Sequence, residues 1–206
     1  MARGLWYPPG LIYDGLLEPF LRRIRKKVRK LIIKNDLFPV LDLCCGPGAQ
    51  VHSLSGKGKL AWGLDINLAM LKYASGRRPG IPFLCADATD APFGPAAFKG
   101  IILSFSLHEK RASLRPPLLA EARRLLMPEG RIVLVDFERP WNKASKLAYL
   151  YVWVIERLAG KEHFRDGREF LRAGGLRALL RENGLEELDR HNVSVGTCAV
   201  VLAAPR

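Results

Sequence analysis

Cysteine, negative charge and long apolar runs are all scarce in this sequence. The four cysteines form no C-x-x-C pair, and the adjacent Cys44 and Cys45 would point to opposite faces of an extended chain. This spacing disfavours a zinc site, so we expect no metal and interpret the cysteines as small apolar residues. Nothing in their number or spacing indicates an oxidising compartment.

No segment has the length and apolar character of a membrane span. The longest apolar run, Leu147 to Ile155, has nine residues, whereas a helix that crosses a bilayer needs about 20. The first residues, MARGLWYPPG, lack the apolar stretch of a signal peptide. We therefore expect a soluble, cytoplasmic protein.

Acidic residues are outnumbered, since 33 Lys and Arg face 20 Asp and Glu and give a net charge of +13. Much of the excess lies in LRRIRKKVRK, residues 21–30, where apolar residues recur at helical spacing. This pattern predicts an amphipathic helix with a basic outer face. That face is either a solvated surface or a binding surface for an anionic membrane or a nucleic acid.

The chain of 206 residues, 49% of them hydrophobic, is long enough for one domain with a sizeable core. Strand-like and helix-like segments alternate, which predicts an α/β fold with a doubly wound, mostly parallel sheet and helices on both faces. A C-terminal antiparallel hairpin closes the pattern. We divide the single domain 1–206 into an N-terminal helical cap (1–36), a core (38–138), a helical lid (139–184) and the hairpin (185–206). Within it we expect helices at 115–130, 144–160 and 164–184 and a fifth strand at 130–137.

Three aspartates close the first three predicted strands. Asp42, Asp65 and Asp87 lie 23 and 22 residues apart, so the carboxyl ends of parallel strands should bring them to one edge of the sheet. Gly46 and Gly48 after the first strand allow a tight turn close to a ligand. Taken singly, Asp65 could be a helix cap and Asp87 a turn residue.

The glycine loop after the first strand differs from that of a dinucleotide site. Val51 replaces the third glycine of G-x-G-x-x-G, and the Asp42 carboxylate would repel a pyrophosphate. A carboxylate here suits an adenosine with a cationic tail, such as S-adenosylmethionine. A nicotinamide-dependent dehydrogenase is the less favoured interpretation.

Five successive segments resemble the motifs of class I S-adenosylmethionine-dependent methyltransferases. Between residues 38 and 138 they read VLDLCCGPGAQ, GLDINLAMLKYA, LCADATDAPF, GIILSFSLHE and LLMPEGRIVLVDF. The later segment EHFRDGREFLRAGGLRALLRENGL resembles the small-molecule branch, which includes ubiquinone/menaquinone-type C-methyltransferases. The resemblance implies a Rossmann-like fold with the cofactor held by the core, and methyl transfer from S-adenosylmethionine that leaves S-adenosylhomocysteine.

The resemblance also assigns cofactor-binding residues. Asp42 and the loop after it would hold the methionine amino group, and Asp65 the ribose hydroxyls. Ile66 and Asp87 would face the adenine, with the Ala88 backbone beside them, and Ser104 would lie near the sulfonium. Cys44 stands where the family has its first glycine. The full set is Asp42, Cys44, Gly46, Pro47, Gly48, Asp65, Ile66, Asp87, Ala88 and Ser104.

The acceptor end is less specified by the sequence. His108, just past the fourth strand, is either a general base or a structural histidine, and His163 is a second candidate. Glu109 and Arg139 could help to bind a polar acceptor. Aromatic side chains would line an apolar pocket or fill the core beneath a lid. The substrate-binding candidates are Tyr13, His108, Tyr149, Trp153 and His163, with Tyr7 and Tyr151 beside them.

Two base-methylating signatures are missing from the chain. The fourth strand ends in SFSL rather than the Asn/Asp-Pro-Pro-Tyr/Phe of adenine amino methyltransferases, and no Pro-Cys dipeptide supplies a cytosine C5 nucleophile. The leading interpretation is methyl transfer to a small, apolar, quinone- or lipid-like acceptor. The alternatives are an RNA methyltransferase that uses the basic surface and a non-catalytic S-adenosylmethionine-binding protein. The sequence predicts no oligomeric state.

Overall fold

A seven-stranded sheet organises the part of the chain that the computed structural model describes, residues 18–56, 58–158 and 161–206. The strands lie in the order β3-β2-β1-β4-β5-β7-β6; β1 to β5 are parallel, whereas β7 is antiparallel to both β5 and β6. The predicted mostly parallel, Rossmann-like sheet with a C-terminal hairpin is confirmed. The strands are β1 (Val40–Leu43), β2 (Ala61–Asp65), β3 (Phe83–Cys85), β4 (Phe98–Ser104), β5 (Leu126–Phe137), β6 (Leu185–Val193) and β7 (Cys198–Pro205).

Helices connect the parallel strands and flank the sheet. Asn67 caps α3, because its side chain accepts hydrogen bonds from the backbone N–H groups of Ala69 and Met70. The helices of the described residues are α1 (Glu18–Lys34), α2 (Ala49–Leu54), α3 (Leu68–Arg77), α4 (Arg115–Leu125), α5 (Lys143–Leu158), α6 (Lys161–Arg172) and α7 (Gly175–Glu182).

The alternation of side chains along each strand divides the core between the two faces of the sheet. Leu41 and Leu43 of β1 enter a buried cluster with apolar residues of α4, α6 and α7. Val40 enters a second cluster, which contains apolar residues of α1, α2 and α3. Asp42 lies two residues after Val40 in the same strand, so both side chains point to the same face of the sheet. The Asp42 carboxyl group therefore lies on the face covered by α1 to α3.

The helix predicted over 115–130 is too long. α4 ends at Leu125, and β5 begins at Leu126 and pairs with β4 from Phe98 onward. Pro128 explains the difference, because proline has no N–H for a helical hydrogen bond and disfavours helical backbone in the residue before it. Strand pairing therefore prevails over the helical pattern.

The helical region predicted over 164–184 is two helices. Gly174 and Gly175 have φ of 112° and 67°, values in the left-handed region that glycine tolerates, and they separate α6 from α7. The resulting turn lets Leu176, Leu179 and Leu180 of α7 enter the core.

The apolar helix α5 is less covered than its composition suggests. Leu147 and Leu150 are 74% and 60% exposed. No helix within the described ranges is long and apolar enough to cross a membrane.

The Phe83 ring gives a direct test of packing next to the β1 loop. A Cβ atom at Gly63 would lie 2.7 Å from Phe83 Cδ1 and 2.8 Å from Cys45 Sγ. We expect Gly63→Ala to destabilise the protein by about 1–3 kcal/mol through overpacking. The matched control is Gly76→Ala, an exposed helical position with no atom within 4 Å of the added Cβ, which should stabilise by about 0.5–1 kcal/mol. Urea unfolding measures both, and equal shifts would contradict the packing.

Candidate active site

A cavity of about 730 Å³ opens at the carboxyl edge of the parallel strands, between α1 and α6. Its volume lies within the range of small-molecule sites, roughly 300–1,000 Å³. Nine of the ten residues assigned by resemblance line it, all except Gly48. The strand ends thus bring together residues from four separate segments of the chain.

The Asp65 carboxylate fixes the loop after β1. Its Oδ2 accepts a hydrogen bond from the Gly46 N–H at 2.7 Å, and its Oδ1 accepts one from the Asn67 N–H at 2.8 Å. One side chain therefore joins the β1 loop to the turn after β2. Each carboxylate oxygen has a second lone pair, so Asp65 can still accept bonds from a ligand's hydroxyl groups.

The β1 loop turns through several left-handed residues. Cys44 has φ 66°, and Gly46 and Gly48 have φ 52° and 76°. The left-handed geometry explains why a glycine suits the position of Cys44. A Cβ atom at Gly48 would lie 2.5 Å from Phe83 Cζ, so Gly48 is needed for close packing of the loop on β3 rather than for lining the cavity.

Asp42 is a buried carboxylate without its full set of partners. Only 2% of the residue is exposed, and its Oδ1 has no hydrogen-bond partner among the described residues. Burial, and then repulsion from the Asp65 carboxylate, raise the pKa of Asp42 well above its ordinary value of 3.8. A ligand with a positive charge or several N–H donors would relieve this cost.

Acidic side chains outnumber basic ones around the cavity, in contrast to the chain as a whole. The acidic residues are Asp42, Asp65, Asp87, Glu109, Glu162 and Asp166, and the Lys and Arg residues are Arg25, Lys110 and Arg111. The charge balance favours a cationic ligand over a pyrophosphate.

The outer end of the cavity presents the groups predicted to face an adenine. Ile66 is 64% exposed and lines the opening. Asp87 Oδ1 accepts hydrogen bonds from both the N–H and the hydroxyl of Thr89, each at 2.8 Å, and these bonds lower the pKa of Asp87. Asp87 is therefore a fixed carboxylate beside buried Ala88.

Burial disfavours the reactive thiolate form of both cysteines in the β1 loop. Burial raises the pKa of the Cys44 thiol to about 12 and raises that of Cys45 further. Because the thiolate is the reactive form, both groups act as small apolar side chains.

The two histidine candidates occupy different layers. His163 of α6 lines the cavity, with its Nδ1 3.7 Å from Glu109 Oε2. His108 is outside the lining and 3% exposed, and its Nδ1 lies 2.7 Å from Asp136 Oδ1. The His108 ring packs against Phe137 and His163, with centroid distances of 4.6 and 5.2 Å. The geometry favours His163 as the group that faces a substrate.

Tyr149, an aromatic candidate whose side chain the structure describes, is not brought to the cavity. Tyr149 packs on the Phe137 ring with a centroid distance of 6.4 Å and does not line the cavity. Arg139 is exposed and also lies outside the lining. Tyr7 and Tyr13 lie outside the described residues, as do the side chains of Tyr151 and Trp153.

Several residues of the site were missed by the sequence reasoning. Gln50, Ser106 and Lys110 line the cavity. Asp136 Oδ2 accepts hydrogen bonds from the backbone N–H groups of Leu107 and His108 and so shapes the turn after β4. Asp136 carries the same sequence signal as Asp42, a carboxylate inside an apolar strand.

Arg115 at the start of α4 links the turn after β4 to α6. It is buried, donates to Leu107 O at 3.0 Å and to Asp166 O at 3.1 Å, and forms an ion pair with Glu169 at 2.6 Å. These bonds hold α6 over the cavity, so Arg115 positions His163 without facing a ligand.

Comparisons with known proteins agree with this geometry. A family described as "Methyltransferase domain" matches residues 40–130. The 2-phytyl-1,4-naphtoquinone methyltransferase of Thermosynechococcus vestitus is 31% identical over 179 residues, 79% of this chain and 79% of that protein. This chain belongs to the S-adenosylmethionine-dependent methyltransferases. The class I membership implied by the motifs, with its quinone-type branch, is confirmed.

A second sequence relative and a solved structure also resemble this methyltransferase. The ubiquinone/menaquinone biosynthesis C-methyltransferase UbiE of Burkholderia cenocepacia is 29% identical over 182 residues, 80% of this chain and 74% of that one. The magnesium protoporphyrin IX methyltransferase of Synechocystis, solved with bound SAH, superimposes with a TM-score of 0.62 at 17% identity. The superposition covers 89% of this chain and 83% of that structure. At 17% identity this structural similarity is evidence for the fold alone.

The cavity of the methyltransferase fits its cofactor on chemical grounds. Three buried oxygens that line it, Asp42 Oδ1, Gln50 Oε1 and Ser106 Oγ, have no hydrogen-bond partner among the described residues. Such oxygens are costly when unpaired and accept N–H donors. The ammonium group of S-adenosylmethionine supplies N–H donors and a positive charge, and its sulfonium supplies a second positive charge, whereas a pyrophosphate brings negative charge.

Removing the buried charge of Asp42 should raise the stability of the ligand-free protein and lower its affinity for the cofactor. The folded-state pKa is raised, so the penalty is present above that pKa and disappears as the pH falls through it, toward the ordinary value of 3.8. We expect Asp42→Asn to melt above the wild type at about pH 8, by about 2–4 °C for each kcal/mol relieved. This advantage should shrink toward about pH 4, and affinity for S-adenosylhomocysteine should fall.

Exposed Asp90 provides the matched control. Asp90→Asn should change neither the melting temperature nor its pH dependence. A lower melting temperature for Asp42→Asn across the whole pH range would mean that Asp42 is stabilising in the ligand-free protein, contrary to its surroundings.

Proposed function

We propose that this methyltransferase methylates a ring carbon of a reduced quinone with an apolar tail. The observation that carries the proposal is the continuity of the 730 Å³ cavity, which joins the carboxylate-rich cofactor end to apolar side chains. Those apolar residues are Leu21, Ile24, Phe105, Leu114 and Leu118. The relatives from Thermosynechococcus vestitus and Burkholderia cenocepacia are quinone methyltransferases by name, which supports the same class of acceptor.

The proposed cofactor contacts follow the layout of the cavity. Asp42 and Gln50 accept from the ammonium group of the methionine part, and the β1 loop holds its backbone in place. Asp65 accepts from the ribose hydroxyls while retaining its two bonds to the loop. Asp87 and Ile66 hold the adenine at the outer end, and Ser104 lies toward the sulfonium. In this arrangement residues 38–138 are the cofactor core.

The acceptor end combines α1, from the predicted N-terminal cap, with α6, from the predicted lid. α1 supplies Leu21 and Ile24, and α6 supplies Glu162, His163 and Asp166. These helices exclude water from the reacting atoms and align the acceptor, which is the main task of a protein in methyl transfer. Bound S-adenosylmethionine supplies a methyl group already activated by its sulfonium.

Methylation at carbon also requires a proton acceptor. The electron pair of the ring carbon forms the new C–C bond as the C–S bond breaks, and the ring carbon then loses its proton. We assign the proton acceptor to the His163 imidazole beside Glu109, since both line the cavity. His108, held by Asp136 behind this layer, is a positioning residue that supports the His163 ring.

The cofactor assignment is tested by titration calorimetry with S-adenosylhomocysteine. Asp65→Ala removes the ribose acceptor and both loop bonds, so we expect affinity to fall by about 100-fold or more, as the loss of charge-assisted bonds predicts. Asp90→Ala removes the same charge outside the cavity and should bind like the wild type. Wild-type preference for NAD, or unchanged affinity of Asp65→Ala, would overturn the assignment.

The acceptor assignment is tested by methyl transfer to a reduced 2-prenyl-1,4-naphthoquinone, followed by mass spectrometry. The product should carry one methyl group in place of one ring hydrogen. His163→Gln should lower kcat by about 10²-fold or more while S-adenosylhomocysteine affinity stays unchanged, because general-base catalysis is lost. His191→Gln, on strand β6, should keep wild-type kcat. Methylation of RNA but of no quinol would refute the proposed acceptor.

A further inference from the structure

A second depression of about 770 Å³ lies on the outer side of α1. We call it the basic groove, and it is lined by Arg22, Arg23, Arg25, Lys26, Arg29, Ala49, His52, Ser53 and Arg78. Six of these nine residues are Lys or Arg, and none is acidic. The groove concentrates positive charge on one concave surface, whereas carboxylates outnumber Lys and Arg around the methyl-transfer cavity beside it.

The basic groove is built on fixed elements. Arg29 of α1 donates from its Nε to Ser53 O of α2 at 2.9 Å, and Arg78 after α3 donates to Pro47 O in the β1 loop at 2.8 Å. These bonds tie α1, α2 and the end of α3 together. The guanidinium groups of Arg29 and Arg78 are therefore held in place, and the other cationic residues are spaced by the backbone of α1.

The groove adjoins the methyl-transfer cavity. Arg25 and Ala49 line both depressions. α1 therefore carries apolar Leu21 and Ile24 toward the cavity and its arginines toward the groove. A partner that fills the groove would lie next to the side of the cavity formed by α1.

We propose that the basic groove binds the phosphate groups of an anionic lipid bilayer. Arg side chains bind phosphate oxygens through paired N–H donors, and each basic residue near an anionic surface contributes about 1 kcal/mol to membrane binding. The cavity then lies against the membrane surface. The benefit for acceptor delivery rests on the proposed quinol function, whereas lipid binding itself does not.

The composition of the groove favours lipid phosphates over single-stranded nucleic acid. Proteins that bind single strands combine a basic track with aromatic side chains on which bases stack. Among the residues that the structure describes, none that lines the groove is Phe, Tyr or Trp. This described lining offers cations for phosphates and no aromatic ring on which a base could stack.

The helical periodicity of α1 supplies a matched pair of variants. Arg22, Lys26 and Arg29 lie at i, i+4 and i+7, so they share one face and line the groove. Lys27, Lys30 and Lys34 share a different face of the same helix and lie outside the lining. Replacing either triplet by Gln removes three positive charges, so the comparison separates the groove from net charge.

Vesicle cosedimentation, without cofactor or acceptor, tests the proposal. Wild-type protein should bind vesicles of equal parts phosphatidylcholine and phosphatidylglycerol, bind pure phosphatidylcholine weakly, and dissociate as salt rises. The Arg22→Gln/Lys26→Gln/Arg29→Gln variant should bind about 100-fold more weakly. The Lys27→Gln/Lys30→Gln/Lys34→Gln variant should lose much less.

A charge-preserving variant and an RNA competitor sharpen the vesicle test. Arg22→Lys/Arg29→Lys retains the charge and should keep most of the vesicle binding, which distinguishes lost charge from lost folding. Equal losses in the two Gln triplets would overturn the groove as the binding surface. Tighter binding of single-stranded RNA than of anionic vesicles at the same salt, lost with the groove triplet, would replace lipid by nucleic acid. None of these outcomes depends on methyl transfer.

Discussion

The two hydrogen bonds that the Asp65 carboxylate accepts from backbone N–H groups determine the shape of the cofactor end. Gly46 belongs to the loop after β1, and Asn67 to the turn after β2, so one carboxylate fixes two neighbouring crossovers of the sheet. The left-handed residues of the β1 loop and the packing of Gly48 on Phe83 then follow from the path imposed on the chain. The cavity has a defined floor because this contact joins segments that are adjacent in the sheet and distant in sequence.

Around this floor the protein separates its charges in space. Asp42 remains buried and incompletely bonded beside Asp65, at a cost to the ligand-free fold that binding of a cation offsets. Much of the excess of positive charge lies elsewhere, on α1. A net charge of +13 therefore says little about the active site, since local carboxylates decide what the cavity accepts.

The sequence predicted the sheet and the cofactor edge, because these depend on local periodicity, glycines and spacing. It misplaced the end of α4, where pairing with β4 and Pro128 prevail over helical pattern, and it merged α6 with α7 across Gly174. His108 could be placed at the end of β4, but its separation from the cavity depends on α6, more than 50 residues later in the chain. Asp136 was overlooked because no glycine loop follows it, although it lies in an apolar strand as Asp42 does.

The two outermost strands of the sheet also affect how the chain behaves before and after folding. β3 has only three residues, too few to template a foreign strand, and β6 carries Glu186, Glu187, Asp189 and Arg190 along the opposite margin. Short or charged margins discourage edge-to-edge pairing with other chains. The apolar central strands, β4, β5 and β7, are enclosed between them. The edges of this sheet therefore disfavour intermolecular β-pairing during folding, when exposed apolar strands are most prone to aggregate.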